Sequence, residues 1–202
     1  MLYFGCASWQ LPKAVRDRFP DDGTLLARYA GRLPAVEVNS SFYRQHRQSQ
    51  YAKWASEVPE GFRFAVKMPR WLTHNQRLRS HEGLDEFLGE VAGLGGKLGP
   101  LLIQLPPKLD FEPQAVEAFF DALRQRFDGD VALEPRNAGW FEAEPEEVLK
   151  HYRIARVAAD PAPVEGAESP GGYTGLAYHR LHGSPRKFYD AYGAQFVSDL
   201  AA

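Results

Sequence analysis

The sequence predicts an α/β protein, a mostly parallel sheet covered by helices. Two observations predict it. Seven short apolar runs recur along the 202 residues, most of them separated by stretches with helical spacing. That alternation gives parallel strands joined by crossover helices. Almost every run also delivers a polar group near its C-terminal end, the edge where α/β folds bind ligands. An open doubly wound sheet and a (β/α) barrel both satisfy the pattern.

Each element follows from local chemistry. "YFGCAS" (3–8) reads as the first strand, with Cys6 as a small core residue. "LLARYAGRL" (25–33) is a short amphipathic helix, and "AVEVN" (35–39) the second strand. "SQYAKWASEV" (49–58) forms the next helix and "RFAVKM" (63–68) the third strand, followed by a long loop. "LDEFLGEVAGLGGKL" (84–98) is a helix with glycines near its end, and "PLLIQL" (100–105) the fourth strand. Pro113 suits a first helical turn, and Val116, Phe119, Phe120, Leu123 and Phe127 follow it on one stripe. "VALE" (131–134), a short helix near 145–152, "ARVAAD" (155–160) and "GLAYHRL" (175–181) complete the series. The Pro/Gly-rich segment 160–175 reads as a loop in place of a helix, so residues 1–202 are expected to form one domain.

Composition removes whole classes of function. The net charge of −2 gives no global field for nucleic acid or membrane. The single cysteine forbids an internal disulfide, and no apolar run approaches the length of a membrane span, so a cytoplasmic protein is expected. No G-x-G-x-x-G follows a strand, and there is no P-loop, G-x-S-x-G, C-x-x-C or H-E-x-x-H. A divalent metal remains a candidate only through dispersed Glu37, Glu134, Asp160, His74 and His182, gathered from several strand ends.

The strand ends carry the functional signal. Strand two delivers Glu37 and Asn39, strand three Lys67, strand four Gln104, strand five Glu134 and Arg136, strand six Asp160, and strand seven Arg180 and His182. In a barrel these converge on one rim. The structural alternative is that the carboxylates and guanidiniums pair with each other inside the fold. Loops 44–48, 70–81 and 179–187 are basic and acid-free, so the rim is expected to be cationic and its ligand anionic. Tyr43, Trp71, Trp140, Tyr189 and Tyr192 beside them either stack on a ring or cover the core.

"VEVNSSFYR", "FAVKMPRWLTH", "LGPLLIQLPPKL", "ALEPRNAGWF" and "YHRLHG", in this order, resemble the successive strand-end motifs of the YecE-like family, domain of unknown function seventy-two. The resemblance spans about residues 3–192. It implies a TIM barrel, and it implies no established activity. On this chain the motifs fall on Glu37, Asn39, Ser40, Phe42, Tyr43, Lys67, Pro69, Thr73, His74, Gln104, Pro106, Glu134, Arg136, Trp140, Arg180, His182 and Gly183. Gly139 replaces the family's usual hydroxylated residue, so a looser loop is expected there. The family continues through a helix into an eighth strand, which this sequence lacks or replaces. An open edge of that kind invites self-association.

The resulting expectation is an enzyme acting on a phosphorylated or otherwise anionic small molecule. Glu37, Glu134, His74 and His182 are its candidate catalytic groups. Asn39, Tyr43, Lys67, Gln104, Arg136, Trp140, Asp160 and Arg180 are its candidate ligand-binding groups. A non-catalytic binding module for an anionic ligand, and a metal-assisted nucleic-acid-processing protein that uses the basic loops as a phosphate track, are the alternatives.

Overall fold

The computed structural model describes residues 1–200. Strands β1 (Gly5–Cys6), β2 (Ala35–Val38), β3 (Arg63–Lys67), β4 (Leu98–Gln104), β5 (Val131–Glu134) and β6 (Ile154–Arg156) lie side by side in chain order, all parallel. β7 (Ala158–Asp160) continues β6 after one residue and pairs in parallel with β9 (His179–Leu181). The handover occurs at Val157, whose N–H donates to Leu133, while the Ala158 N–H donates to Tyr178. A two-residue strand, β8 (Gly171–Gly172), pairs antiparallel with β6.

Alternation along the strands separates two environments, because successive side chains point to opposite faces. Val36, Val38, Phe64, Val66, Leu101, Ile103, Val131 and Leu133 face one way. They pack in one apolar cluster with helix residues Leu26, Tyr51, Phe87, Phe120 and Leu149. These come from α1 (Leu25–Ala30), α2 (Gln48–Ser56), α3 (Leu84–Val91), α4 (Pro113–Arg124) and α5 (Ala143–His151). Thr24 caps α1 by accepting from the Ala27 N–H. Pro113 opens α4, which buries Val116, Phe119, Phe120 and Leu123. The other sheet face carries only a small apolar cluster of Leu102, Ala132 and Val157. Above it stand the polar strand ends.

Several expected boundaries shift. The third helix stops at Val91 and continues as a tight turn that is broken at Gly95, φ 54°, so β4 starts at Leu98. A side chain on Gly93 in that turn would meet the Gln48 carbonyl at 2.2 Å, so glycine is what lets α2 approach. The loop at 160–175 contains the β8 bridge. Cys6 is exposed rather than a core residue, because β1 has a partner strand on one side only and no buried residue of its own. A short helix, α6 (Ala194–Leu200), ends the described chain with no buried side chain. Among the described residues β1 and β9 do not pair, and no closed barrel is formed. No described helix is long and apolar enough to cross a membrane.

Candidate functional site

Three strands meet through one guanidinium. Arg180, on the inner face of β9, donates from Nε to Glu37 Oε2 at 3.0 Å and from Nη2 to Glu37 Oε1 at 2.8 Å. Its Nη1 donates to Glu134 Oε2. Arg180 thus bridges the ends of β2 and β5, and all three side chains are buried, with Glu134 only 2% exposed. Arg136 completes the shell of Glu134, donating to Oε1 from Nε at 2.9 Å and from Nη2 at 2.8 Å. Gln104 stands directly opposite Glu134 in the β4–β5 register and donates to its Oε2 at 2.9 Å. Tyr178 donates its hydroxyl to Glu37 Oε2 at 3.1 Å.

The electrostatics follow from this packing. Burial opposes the charge on Glu134, yet Arg180, Arg136 and Gln104 outweigh it and hold the carboxyl below its ordinary value. Burial also works against Arg180, and Glu37 and Glu134 reverse that, raising its affinity for the proton. Each carboxylate oxygen of Glu134 is engaged at least once. Glu134 is therefore held as an ionised anchor between Arg180, Arg136 and Gln104.

Above this floor is a cavity of about 740 Å³, lined by Glu37, Asn39, Lys67, Gln104, Arg136, Arg180 and His182 among others. It reaches from the strand starts near Ala35 and Leu98 to Tyr43 and Phe188 at the opposite rim. Lys67 is 5% exposed and its Nζ lies 4.1 Å from the centre of the Phe42 ring. Burial, then the nearby Arg180, pull its proton affinity down to about 8, against the opposing pull of Glu37 and Glu134. Asn39 Oδ1 and His182 Nδ1 are buried without a partner among the described residues. Burial and Arg180 lower the affinity of His182 for a proton.

Other expected site residues stand elsewhere. His74 does not line the cavity. Its Nδ1 pairs with the Thr73 hydroxyl at 2.9 Å, and burial and Lys67 push it down to about 4, so it is neutral at pH 7. Asp160 also lies off the cavity and accepts from the Tyr192 hydroxyl at 2.5 Å. Trp140 is 0% exposed and donates its indole N–H to the Leu109 carbonyl at 3.0 Å, so it is a core residue. The loop before it is held, not loose: Asn137 Oδ1 accepts the Gly139 N–H at 2.9 Å. The basic loop 70–81 contributes no residue to the cavity lining. Arg79 pairs with Glu112 and Arg77 donates to the Lys108 carbonyl, because neighbouring loops offer them acceptors. Among the described residues no three His, Cys, Asp or Glu side chains come together as a metal set, since the arginines take both central glutamates. Tyr178 and buried His46, whose Nε2 pairs with Ser40 Oγ at 2.8 Å, were not foreseen. Tyr178 had a signal, standing two residues before Arg180 and hence on the same strand face.

A family model described as "Protein of unknown function DUF72" matches residues 3–202. The chain belongs to the DUF72 family. This DUF72 chain is similar to UPF0759 protein YecE of Escherichia coli (strain K12), 32% identical over 176 residues, covering 83% of the chain and 62% of that protein. It is also similar to UPF0759 protein YunF of Bacillus subtilis (strain 168), 30% identical over 148 residues, covering 70% of the chain and 52% of that protein. It thus spans between half and two thirds of the length of these relatives. Its fold resembles the crystal structure of a DUF72 family protein from Enterococcus faecalis V583, with a TM-score of 0.68 at 24% identity over 87% of this chain and 78% of that one. A second DUF72 family protein, from Thermotoga maritima MSB8, gives 0.69 at 21% identity over 99% of this chain and 85% of that one.

Proposed function

We propose that this DUF72 chain is one domain of open (β/α)-barrel type and an enzyme of anionic small molecules, bound at the C-terminal ends of its strands. One observation carries the reading. Arg180, Arg136 and Lys67 set three cations against the two carboxylates Glu37 and Glu134, and Lys67 has no acceptor among the described residues. One positive charge is left over in a half-enclosed cavity, and a phosphate or carboxylate of the ligand supplies the missing counter-charge. Arg136, partly exposed, reaches the ligand from one side. Lys67 and His182 are the groups left to move protons, because Glu134 is fully engaged. The Glu37–Arg180–Glu134 bridge holds the floor rigid.

The test is calorimetric titration and thermal shift with inorganic phosphate, sugar phosphates, nucleotides and short oligonucleotides. Losing one charge-assisted hydrogen bond costs about 1.5–3 kcal/mol, so Arg136→Ala is expected to weaken anion binding by about ten- to a hundredfold. Equal binding by wild type and Arg136→Ala refutes the site. Binding confined to oligonucleotides, falling steeply with salt, replaces the small-molecule reading with nucleic-acid processing.

A further inference from the structure

We propose that Lys67 forms a reversible imine with an aldehyde or ketone whose phosphate or carboxylate is held by Arg136. This rests on the anion reading above and names the substrate class of that same site.

The case begins with how this chain treats its other enclosed lysine. Lys97 is also largely shielded, and it donates to the Ala55 and Val58 carbonyls at 2.8 Å each. Lys67 ends β3 on the inner face, is more deeply buried, and donates to nothing among the described residues. Its amine stands over the Phe42 ring and borders the cavity. A buried ammonium without an acceptor is costly, so Lys67 remains the site's surplus cation at neutral pH yet yields its proton more readily than an ordinary lysine. Desolvation and neighbouring cations are the two devices that make a lysine a nucleophile, and Lys67 has both. At neutral pH it presents on the order of a hundredfold more free amine than an ordinary lysine, since each unit of lowered pKa is tenfold.

The cavity also holds receivers for the chemistry. Attack of Nζ on the carbonyl carbon forms a C–N bond and a carbinolamine hydroxyl. Asn39 Oδ1 and His182 Nδ1, both buried, unpartnered and lining the same cavity, can accept from that hydroxyl. Dehydration then breaks the C–O bond. The carbonyl oxygen and the two hydrogens of the amine leave as water, and no electrons are exchanged. Hydrolysis of the imine reverses both steps.

The probe is pyridoxal 5′-phosphate, an anionic aldehyde. The full chain is incubated with it, reduced with borohydride and mapped by peptide mass spectrometry. The expected result is label on Lys67 ahead of exposed Lys53 and Lys108, slowed by inorganic phosphate and by Arg136→Ala. Label spread over surface lysines while phosphate still raises the melting point overturns the imine and leaves the anion site standing. Equal labelling of Lys67 by pyridoxal without its phosphate, with no protection by phosphate, overturns the anion reading and the proposal with it. The mapping uses the wild-type chain, so it decides the question even if Lys67→Arg, expected to lose the label, fails to fold.

Discussion

Replacing Arg180 by methionine removes the side chain that joins β9 to β2 and β5 and leaves Glu37 and Glu134 buried with one cation fewer. Arg180 makes two hydrogen bonds to Glu37 and one to Glu134, with the two carboxylates 8% and 2% exposed. Removing one partner of a buried ion pair costs about 3–5 kcal/mol. For a chain of this size, that lowers the melting temperature by about 6–20 °C. The sign with pH follows from Glu134. In the wild type its folded value lies below the unfolded one, so its stabilisation is present above the ordinary carboxylate range and is lost as pH falls through the folded value. Without Arg180, burial prevails and the folded value rises. The variant therefore regains stability as pH falls through it, and the gap to wild type narrows. Thermal melts followed by circular dichroism, from neutral pH to about pH 4, read both effects. Arg180→Met combined with Glu37→Gln, which keeps Glu134 paired with Arg136 and the wild-type surplus of one positive charge, is expected to recover part of the loss. A melting temperature unchanged in the single variant, or a gap that widens in acid, refutes the argument that buried charge holds this site together.

Three more outcomes are expected. Lys67→Met should melt above wild type at neutral pH, because the wild-type chain loses stability as pH falls from the ordinary lysine range to about 8; the advantage disappears above that range, and equal melting at neutral pH contradicts it. Trp140→Phe leaves the Leu109 carbonyl without its donor and should cost about 1–3 kcal/mol in urea denaturation. Its phosphate affinity should stay at the wild-type value, and a loss of affinity at unchanged stability would place the indole against the ligand. Exposed Leu2 and Phe188 beside the cavity, and the unpaired side of β1, should give concentration-dependent self-association in light scattering; a monodisperse monomer at every concentration counts against it.

Much of this architecture was legible because the pattern of period two is strong where both sheet faces are specified. β2 through β5 fall within a residue or two of their apolar runs, and Glu37, Lys67, Gln104 and Glu134 end those runs on one face. The pairing of those charges was legible only as an alternative, because distance across the sheet is not written in local spacing. The ring of strand-end residues contains both kinds: Glu134 is consumed by Arg136, Arg180 and Gln104, whereas Lys67 is buried at the cavity wall without an acceptor among the described residues. Trp140 and His74 look identical to rim residues in sequence, yet one turn of backbone after each strand carries them behind the cavity wall. The β8 bridge had no signal, because two glycines carry no side-chain pattern. Loop arginines such as Arg79 misled for the opposite reason: their partner, Glu112, lies on a different loop.

Arg180 also dictates an order of events. Its partners Glu37 and Glu134 lie 143 and 46 residues earlier in the chain. A nascent chain that has formed β2 to β5 therefore holds two carboxylates in a hollow whose principal counter-charge has not yet been synthesised. Contacts of such separation form late, after the entropy of closing the intervening loops has been met. The inner ends of β2 and β5 therefore gain their shared counter-charge only when β9 joins the sheet, after the strands and helices of the outer face are already present to pack.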